Sequence, residues 1–401
     1  VATAVESYEY FNPLNPAHIA DPDALMQASR RGCPVGQVSD ILYAVHADEA
    51  VRQIFGDTTH FSSRGNFTVG VEDVQLPFAM ITTADPPVHT ALRARLLKDL
   101  SPARLRKMNT RVEAIVQECV SALPKSGFVD LYESFVQFIP ARILYALIGI
   151  PKSDWSQVQS WSDVIVATLP NPAHELPEFQ GLTGYLDALI EARRSQPNER
   201  HEDVLDNLCF ADPGEQDMST PEVISHLLQL LGAATDTTRA LIVNCLFRLL
   251  ENRDQWEAVA ADRSLLPNAI EESLRMDSPL QFVVRTAVQP VTIGACPIEP
   301  GKKVYVNIQS ANHDEQRWGV ESLTYHADRP HASGHLAFGR GIHACIGAPL
   351  ARIEARVAIA ALLDAYPNMT LDPAAEWLKC EGAMLRRAQT LPVLLTGAQT
   401  R

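Results

Sequence analysis

The stretch that most constrains this 401-residue chain is Phe338-Gly-Arg-Gly-Ile-His-Ala-Cys-Ile-Gly347. It is a loop punctuated by glycine, it carries one cysteine, and it runs into a segment from Pro349 to Ala365 that reads as a helix. Gly339, Gly341 and Gly347 permit turns and close approaches that a side chain would block, so a flat object can lie against the backbone there. Cys345 stands where the helix opens, and a helix start favours the thiolate over the thiol. Whatever fold the chain adopts has to bring other segments over this loop.

Three readings fit the loop. One is a buried cysteine behind a tight turn, the usual place for a lone Cys. The second is a dinucleotide site, because Gly339-x-Gly341-x-x-Ala344 fits the Rossmann fingerprint. That fingerprint needs a βαβ unit around it, and residues after the helix are irregular until a short apolar run near Leu391. The third is a thiolate held by backbone N–H groups as an axial ligand for haem iron.

Composition narrows the class. The net charge of −14 disfavours nucleic acid as a partner. The seven cysteines (Cys33, Cys119, Cys209, Cys245, Cys296, Cys345 and Cys380) show no metal-ligand spacing and their number is odd, which fits a reducing cytoplasm without disulfides or zinc. The best apolar run, Phe135 to Ile150, is broken by Pro140 and Arg142, and no leader pattern precedes it. No membrane anchor is expected.

Taken in order, residues 33–46 predict a hairpin and His46 to Phe55 a helix. A polar loop runs from Phe61 to about Thr83. Asp85-Pro-Pro-Val-His89 predicts a helix start, with Asp85 as its cap. Helices are expected near 102–122, 130–149, 153–168 and 175–195, with a break at Pro170-Asn-Pro172 whose flanking helices suit a lid. Thr220 to Asn252 predicts one long helix, apolar on most faces and therefore buried. Strands are expected at Phe282–Arg285, Val291–Ile293 and Lys303–Asn307, and again near Met384–Leu395. With no repeat or linker, and with motifs spread over 85–347, one site in a single domain over 1–401 is expected.

Several polar groups stand out. His89 and Arg93, with Arg95 nearby, share a helix face; a solvated basic face explains them equally well. Within the long helix, Ala233-Ala-Thr-Asp-Thr-Thr238 puts Asp236 beside Thr237, and a carboxylate in a buried helix needs a partner or a task. Hydroxyls bonding back one turn are the plain alternative. Glu272 and Arg275 are spaced to pair on one helix. Arg285 among apolar strand residues needs an anion.

Together these stretches resemble the cytochromes P-450. The resemblance covers nearly the whole chain: Phe338, Gly341, Cys345 and Gly347 at the haem-ligand spacing, the acid–alcohol pair Asp236-Thr237, the Glu272-x-x-Arg275 motif, and Arg329 as that motif's third member. It implies a mainly α fold with a small β region, shaped as a triangular prism, with haem b between the long central helix and the cysteine-loop helix. It also implies Cys345 as iron ligand, and His89, Arg93, Ala233, Arg285, Phe338, Gly339, His343 and Gly347 around the cofactor. Asp236 and Thr237 would serve proton delivery; Glu272, Arg275 and Arg329 would be structural. Ala234 departs from the glycine common at that position. By family position the substrate pocket would draw on Phe78, Gln229, Gly232, Phe282, Val283 and Val284.

The implied reaction is insertion of one oxygen atom from O2 into a small, largely apolar molecule, by hydroxylation or O-dealkylation. Electrons would come ultimately from NAD(P)H through a separate ferredoxin and its reductase, docking near Arg340 and Arg352 on a monomer. No Arg or Lys occurs from Gly65 to Leu92, which points to a neutral substrate such as a terpenoid or a substituted phenol rather than a carboxylate. A peroxide-using or isomerising thiolate-haem enzyme and a haem-based ligand sensor are the alternatives.

Overall fold

The computed structural model describes residues 10–33, 35–66, 80–167, 174–214, 216–376 and 384–396. Phe78 and the break at 170–172 lie outside the described residues.

Helices dominate. The first half of the chain holds α1 (Pro16–Ala20), α2 (Asp23–Gly32), α3 (Asp48–Gly56), α4 (Val88–Leu97), α5 (Pro102–Ser121), α6 (Leu131–Ser134), α7 (Ile139–Ile148), α8 (Trp155–Ala167) and α9 (Pro177–Arg194). The second half holds α10 (Val204–Cys209), α11 (Thr220–Glu251), α12 (Arg253–Ala261), α13 (Leu266–Met276), α14 (Ile308–Asn312), α15 (Glu315–Trp318) and α16 (Ala348–Ala365). The strands are β1 (Val35–Gln37), β2 (Leu42–Val45), β3 (Phe61–Ser62), β4 (Ser126–Asp130), β5 (Phe282–Ala287), β6 (Val291–Ile293), β7 (Cys296–Ile298), β8 (Lys303–Asn307), β9 (Thr370–Leu371) and β10 (Pro392–Thr396).

α11 is the central pillar. Its start is fixed by Pro221 in the first turn and by the Glu222 carboxylate, which accepts from the Ser219 N–H at 2.7 Å. From Ala240 to Phe247 every residue is buried. Each fully buried aliphatic side chain there contributes about 1.5–3 kcal/mol of transfer free energy. One core packs Val112 of α5, Ile143 of α7, Leu246 of α11, Ile270 of α13 and Leu362 of α16. A second packs Leu144 of α7, Val158 of α8, Leu186 of α9, Leu205 of α10 and Val223 of α11. Among the described residues no helix is long and apolar enough to cross a membrane.

The larger sheet runs β1-β2-β8-β5-β3. Its β2–β8 pair is parallel, Leu42 opposite Lys303, and the other pairs are antiparallel. A three-stranded sheet (β4-β10-β9) and the β6–β7 hairpin complete the β content.

The structure corrects the sequence reading at several points. Asp85 does not cap α4: the helix begins after Pro87 with no side-chain cap, and the Asp85 carboxylate instead accepts from Ser62 Oγ and from Ser63 N–H at 2.9 Å. The helix expected over 130–149 divides into α6, a 3-10 turn and α7. Strand β7 was not expected; it pairs with β6. Strand structure near the end begins only at Pro392, with Leu385 making an isolated bridge to Leu280.

Candidate active site

The cysteine loop folds as its glycines require. Gly339 and Gly341 have φ of +64° and +74°, and a Cβ on Gly341 would come within 2.4 Å of the Phe55 carbonyl oxygen. The Cys345 N–H donates to the Phe338 carbonyl at 2.8 Å, closing the loop. Gly347 is the N-cap of α16, so Cys345 lies two residues before the cap. The backbone N–H groups of Gly347 and Ala348 point at its sulfur.

Cys345 keeps accessible surface although protein atoms crowd around it. Burial pushes its thiol up; the two N–H groups and the charges of Arg93 and Arg352 pull it down without prevailing. The helix start favours the thiolate, as the sequence reading has it, but burial outweighs it. A metal cation over the sulfur would remove the proton outright.

Four basic side chains from three parts of the chain meet beside the loop. His89 and Arg93 come from α4, Arg285 from β5 and His343 from the loop itself. The His89 and His343 rings lie 4.2 Å apart. Burial first, then the neighbouring Arg285 and His89, press His343 down to about 4, and burial and Arg93 lower His89. Both rings are thus neutral near pH 7. His89 is 2% exposed and its Nε2 has no partner among the described residues. Arg285 is buried, lies 5.8 Å over the Phe55 ring and, among the described residues, donates only to its neighbour's carbonyl, Val284 O, at 2.8 Å. Burial presses it down to about 10, with Asp85 pulling weakly the other way. Two guanidiniums and two neutral imidazoles, one of them with an unpartnered Nε2, face only the Asp85 carboxylate among the described residues and form an unsatisfied anion site. The carboxylates of a flat tetrapyrrole fit it, and the thiol fits its iron. Arg95 is not part of this group: it donates to the Asn207 and Leu208 carbonyls.

On α11, Ala233 is exposed between the buried Leu231 and Thr235, so this turn also faces open space. Gly232 is partly buried beside it. Thr237 Oγ1 donates to the Ala233 carbonyl at 2.7 Å, the back-bonding that the sequence left as the plain alternative. Asp236 Oδ1 accepts from Arg239 Nη1 at 2.9 Å. The same nitrogen reaches Asp163 Oδ1 of α8 at 2.9 Å, and Arg239 Nε donates to the Gln137 carbonyl. The acid thus has a partner, at a helical spacing readable from sequence but not singled out there. Ala234 packs its methyl toward the second core.

Glu272, Arg275 and Arg329 form one buried cluster. Glu272 binds Arg275 through 2.7 and 2.9 Å contacts and Arg329 at 2.7 Å, and Arg275 also donates to the Asn312 and Ser322 carbonyls.

The pocket residues divide. Gln229 Nε2 donates to Thr82 Oγ1 at 2.6 Å, tying α11 to the segment before α4. Phe282 stacks on Tyr305 at 4.3 Å and, with Val284, is spent in a small core beneath the sheet. That corrects their expected place in a pocket. Val283, on the strand face of Arg285, belongs to the other face's core. Arg352 also differs from expectation: it grips Glu271 through 2.6 and 2.8 Å contacts, so its charge is not free for a partner, whereas Arg340 is exposed. Glu271 itself was missed, because a carboxylate beside the Glu272 motif carries no local signal of a partner 81 residues away.

The cytochrome P450 family profile matches residues 142–385. The chain is 35% identical to cytochrome P450 monooxygenase PikC of Streptomyces venezuelae, over 77% of this chain and 74% of that one. It is 34% identical to the vitamin D(3) 25-hydroxylase of Pseudonocardia autotrophica, over 80% and 78%. The structure of cytochrome P450 CYP109Q5 from Chondromyces apiculatus superposes with a TM-score of 0.85 at 30% identity, over 96% and 98%. The chain belongs to the cytochrome P450 family and has its fold. It is an oxidoreductase of the monooxygenase kind, and membership implies haem.

Proposed function

We propose that this single-domain protein is a cytoplasmic, monomeric haem b monooxygenase that places one atom of O2 into a neutral, largely apolar molecule, fed by a separate ferredoxin and its NAD(P)H-dependent reductase. The observation that carries the cofactor site is the meeting of an accessible Cys345, with two N–H groups at its sulfur, and four basic side chains that have no ion-paired carboxylate among the described residues.

Haem bound through a thiolate supplies the oxidising chemistry, its ligand's electron density favouring O–O cleavage. Cys345 would hold the iron through its sulfur, with Gly339 and Gly347 leaving room beside it. Arg93, Arg285, His89 and His343 would hold the cofactor's carboxylates. Thr237, its proton committed to the Ala233 carbonyl, presents its oxygen lone pairs as an acceptor. Asp236 exchanges protons with water through the carboxylate oxygen that Arg239 does not hold. Gln229 and Thr82, already bonded to each other, retain one amide oxygen and one hydroxyl proton for a polar substituent on the substrate. Gly232 and Ala233 give the apolar remainder. A relative is named as a hydroxylase of vitamin D(3), which is neutral and mostly hydrocarbon. Arg340 belongs to the docking face.

The test is turnover under 18O2 with NADH, a ferredoxin and its reductase, offering neutral terpenoids and phenols beside substituted benzoates. Product from neutral substrates carrying one 18O atom is expected. Turnover of benzoates alone contradicts the substrate assignment. Equal turnover with peroxide and no ferredoxin contradicts the electron source.

A further inference from the structure

The Arg352 guanidinium is held from both sides. Glu271 of α13 takes Nε and Nη2 at 2.6 and 2.8 Å, and the guanidinium carbon sits 4.5 Å over the Phe338 ring. Phe338 is the residue whose carbonyl accepts the Cys345 N–H at 2.8 Å. His335 closes the other side of Glu271, with Nε2 3.2 Å from Oε2 though not aligned as a hydrogen bond. Its Nδ1 accepts from the Ala337 N–H, which puts the proton on Nε2, and its ring lies 5.9 Å from that of Phe338. Arg352 is thus a cation clamped against the cysteine loop by a carboxylate from another helix.

We infer that Glu271 and Arg352 are positioning residues that set the electrostatic environment of Cys345, and through it the reduction potential of the haem. The inference rests on Cys345 being the axial ligand. Burial raises Glu271, but the bonds from Arg352 and the proximity of His335 outweigh this and hold it at about 2, while burial lowers His335 despite Glu271. At neutral pH the group is therefore one anion, one cation and one neutral ring, with no net charge. Reduction adds one electron to the cofactor and breaks no bond; nearby positive charge favours the reduced form and negative charge the oxidised form. Removing either member of the pair unbalances the charge, in opposite senses. A lone charge about 10 Å away through an effective dielectric of about 20 changes the reduction equilibrium on the order of tenfold, about 59 mV for one electron.

The experiment is spectroelectrochemical titration of the haem-loaded protein, with mediators supplying the electron. Glu271→Gln leaves Arg352 uncompensated and is expected to raise the midpoint potential. Arg352→Gln leaves Glu271 uncompensated and is expected to lower it. The double variant and Arg352→Lys are expected near the parent. Shifts of the same sign, or none, overturn the inference, because a purely structural pair disturbs the loop alike from either end. If Arg352→Gln does not load haem, Arg352→Lys and Glu271→Gln decide: the first near the parent and the second raised support it, and any other pattern overturns it. The carbon monoxide spectrum of each reduced protein is recorded alongside. A parent lacking the thiolate band refutes the axial ligand, and the inference with it; a normal band without opposed shifts refutes the inference alone.

Discussion

Arg285 offers the sharpest prediction, because its burial and its purpose pull in opposite directions. It is 6% exposed, has no carboxylate within ion-pair distance among the described residues, and burial presses it from its ordinary 12.5 to about 10. At about 1.36 kcal/mol per factor of ten, that gap is about 3 kcal/mol of uncompensated charge burial. Since the folded value lies below the unfolded one, the cost is fully present below about pH 10 and fades only as pH rises beyond it. Arg285→Met keeps the apolar stem and deletes the charge. The haem-free protein should gain on the order of 1–3 kcal/mol in a urea titration. The haem-loaded protein should lose a charge-assisted bond of about 1.5–3 kcal/mol. It should then release haem roughly 10- to 100-fold faster to an excess of haem-scavenging globin. Unchanged haem release, or a haem-free protein destabilised by the substitution, would refute the reasoning.

Other substitutions probe the rest of the account. Glu272→Gln leaves two buried guanidiniums unneutralised, and thermal unfolding should show a loss of about 3–5 kcal/mol. Gly341→Ala places a methyl against the Phe55 carbonyl in left-handed backbone, so haem loading on expression should fall sharply, while Gly56→Ala, with open space around it, should load normally. Asp236→Asn should slow turnover roughly 100-fold or more with substrate affinity by spin-state titration unchanged; a matching loss of affinity would make Asp236 a pocket residue instead. Gln229→Leu should weaken binding of a hydroxylated substrate about fivefold and leave its hydrocarbon analogue unaffected.

The parts of this protein legible in its sequence are those that local chemistry writes. Glycine spacing gave the loop from Phe338 to Gly347, and the proline and acid at 221 and 222 gave the start of α11. The i, i+3 and i, i+4 spacings placed Glu272 with Arg275 and His89 with Arg93. What stayed hidden depends on partners far along the chain. The parallel pairing of β2 with β8 joins segments some 260 residues apart, and strand alternation cannot say that Phe282 and Val284 face Tyr305 rather than a pocket. Arg352 looked like a free cation because Glu271 is invisible to its own helix. Asp85 looked like a cap because the serines that claim it, Ser62 and Ser63, precede it by 23 and 22 residues.

The central claim is that Cys345 ligates haem iron as a thiolate. The direct test is the absorbance spectrum of the dithionite-reduced protein under carbon monoxide, compared with Cys345→His. A strongly red-shifted Soret band in the parent, lost in the variant, is the predicted result. A haem spectrum without that band in the parent, or one that survives the substitution, would contradict it.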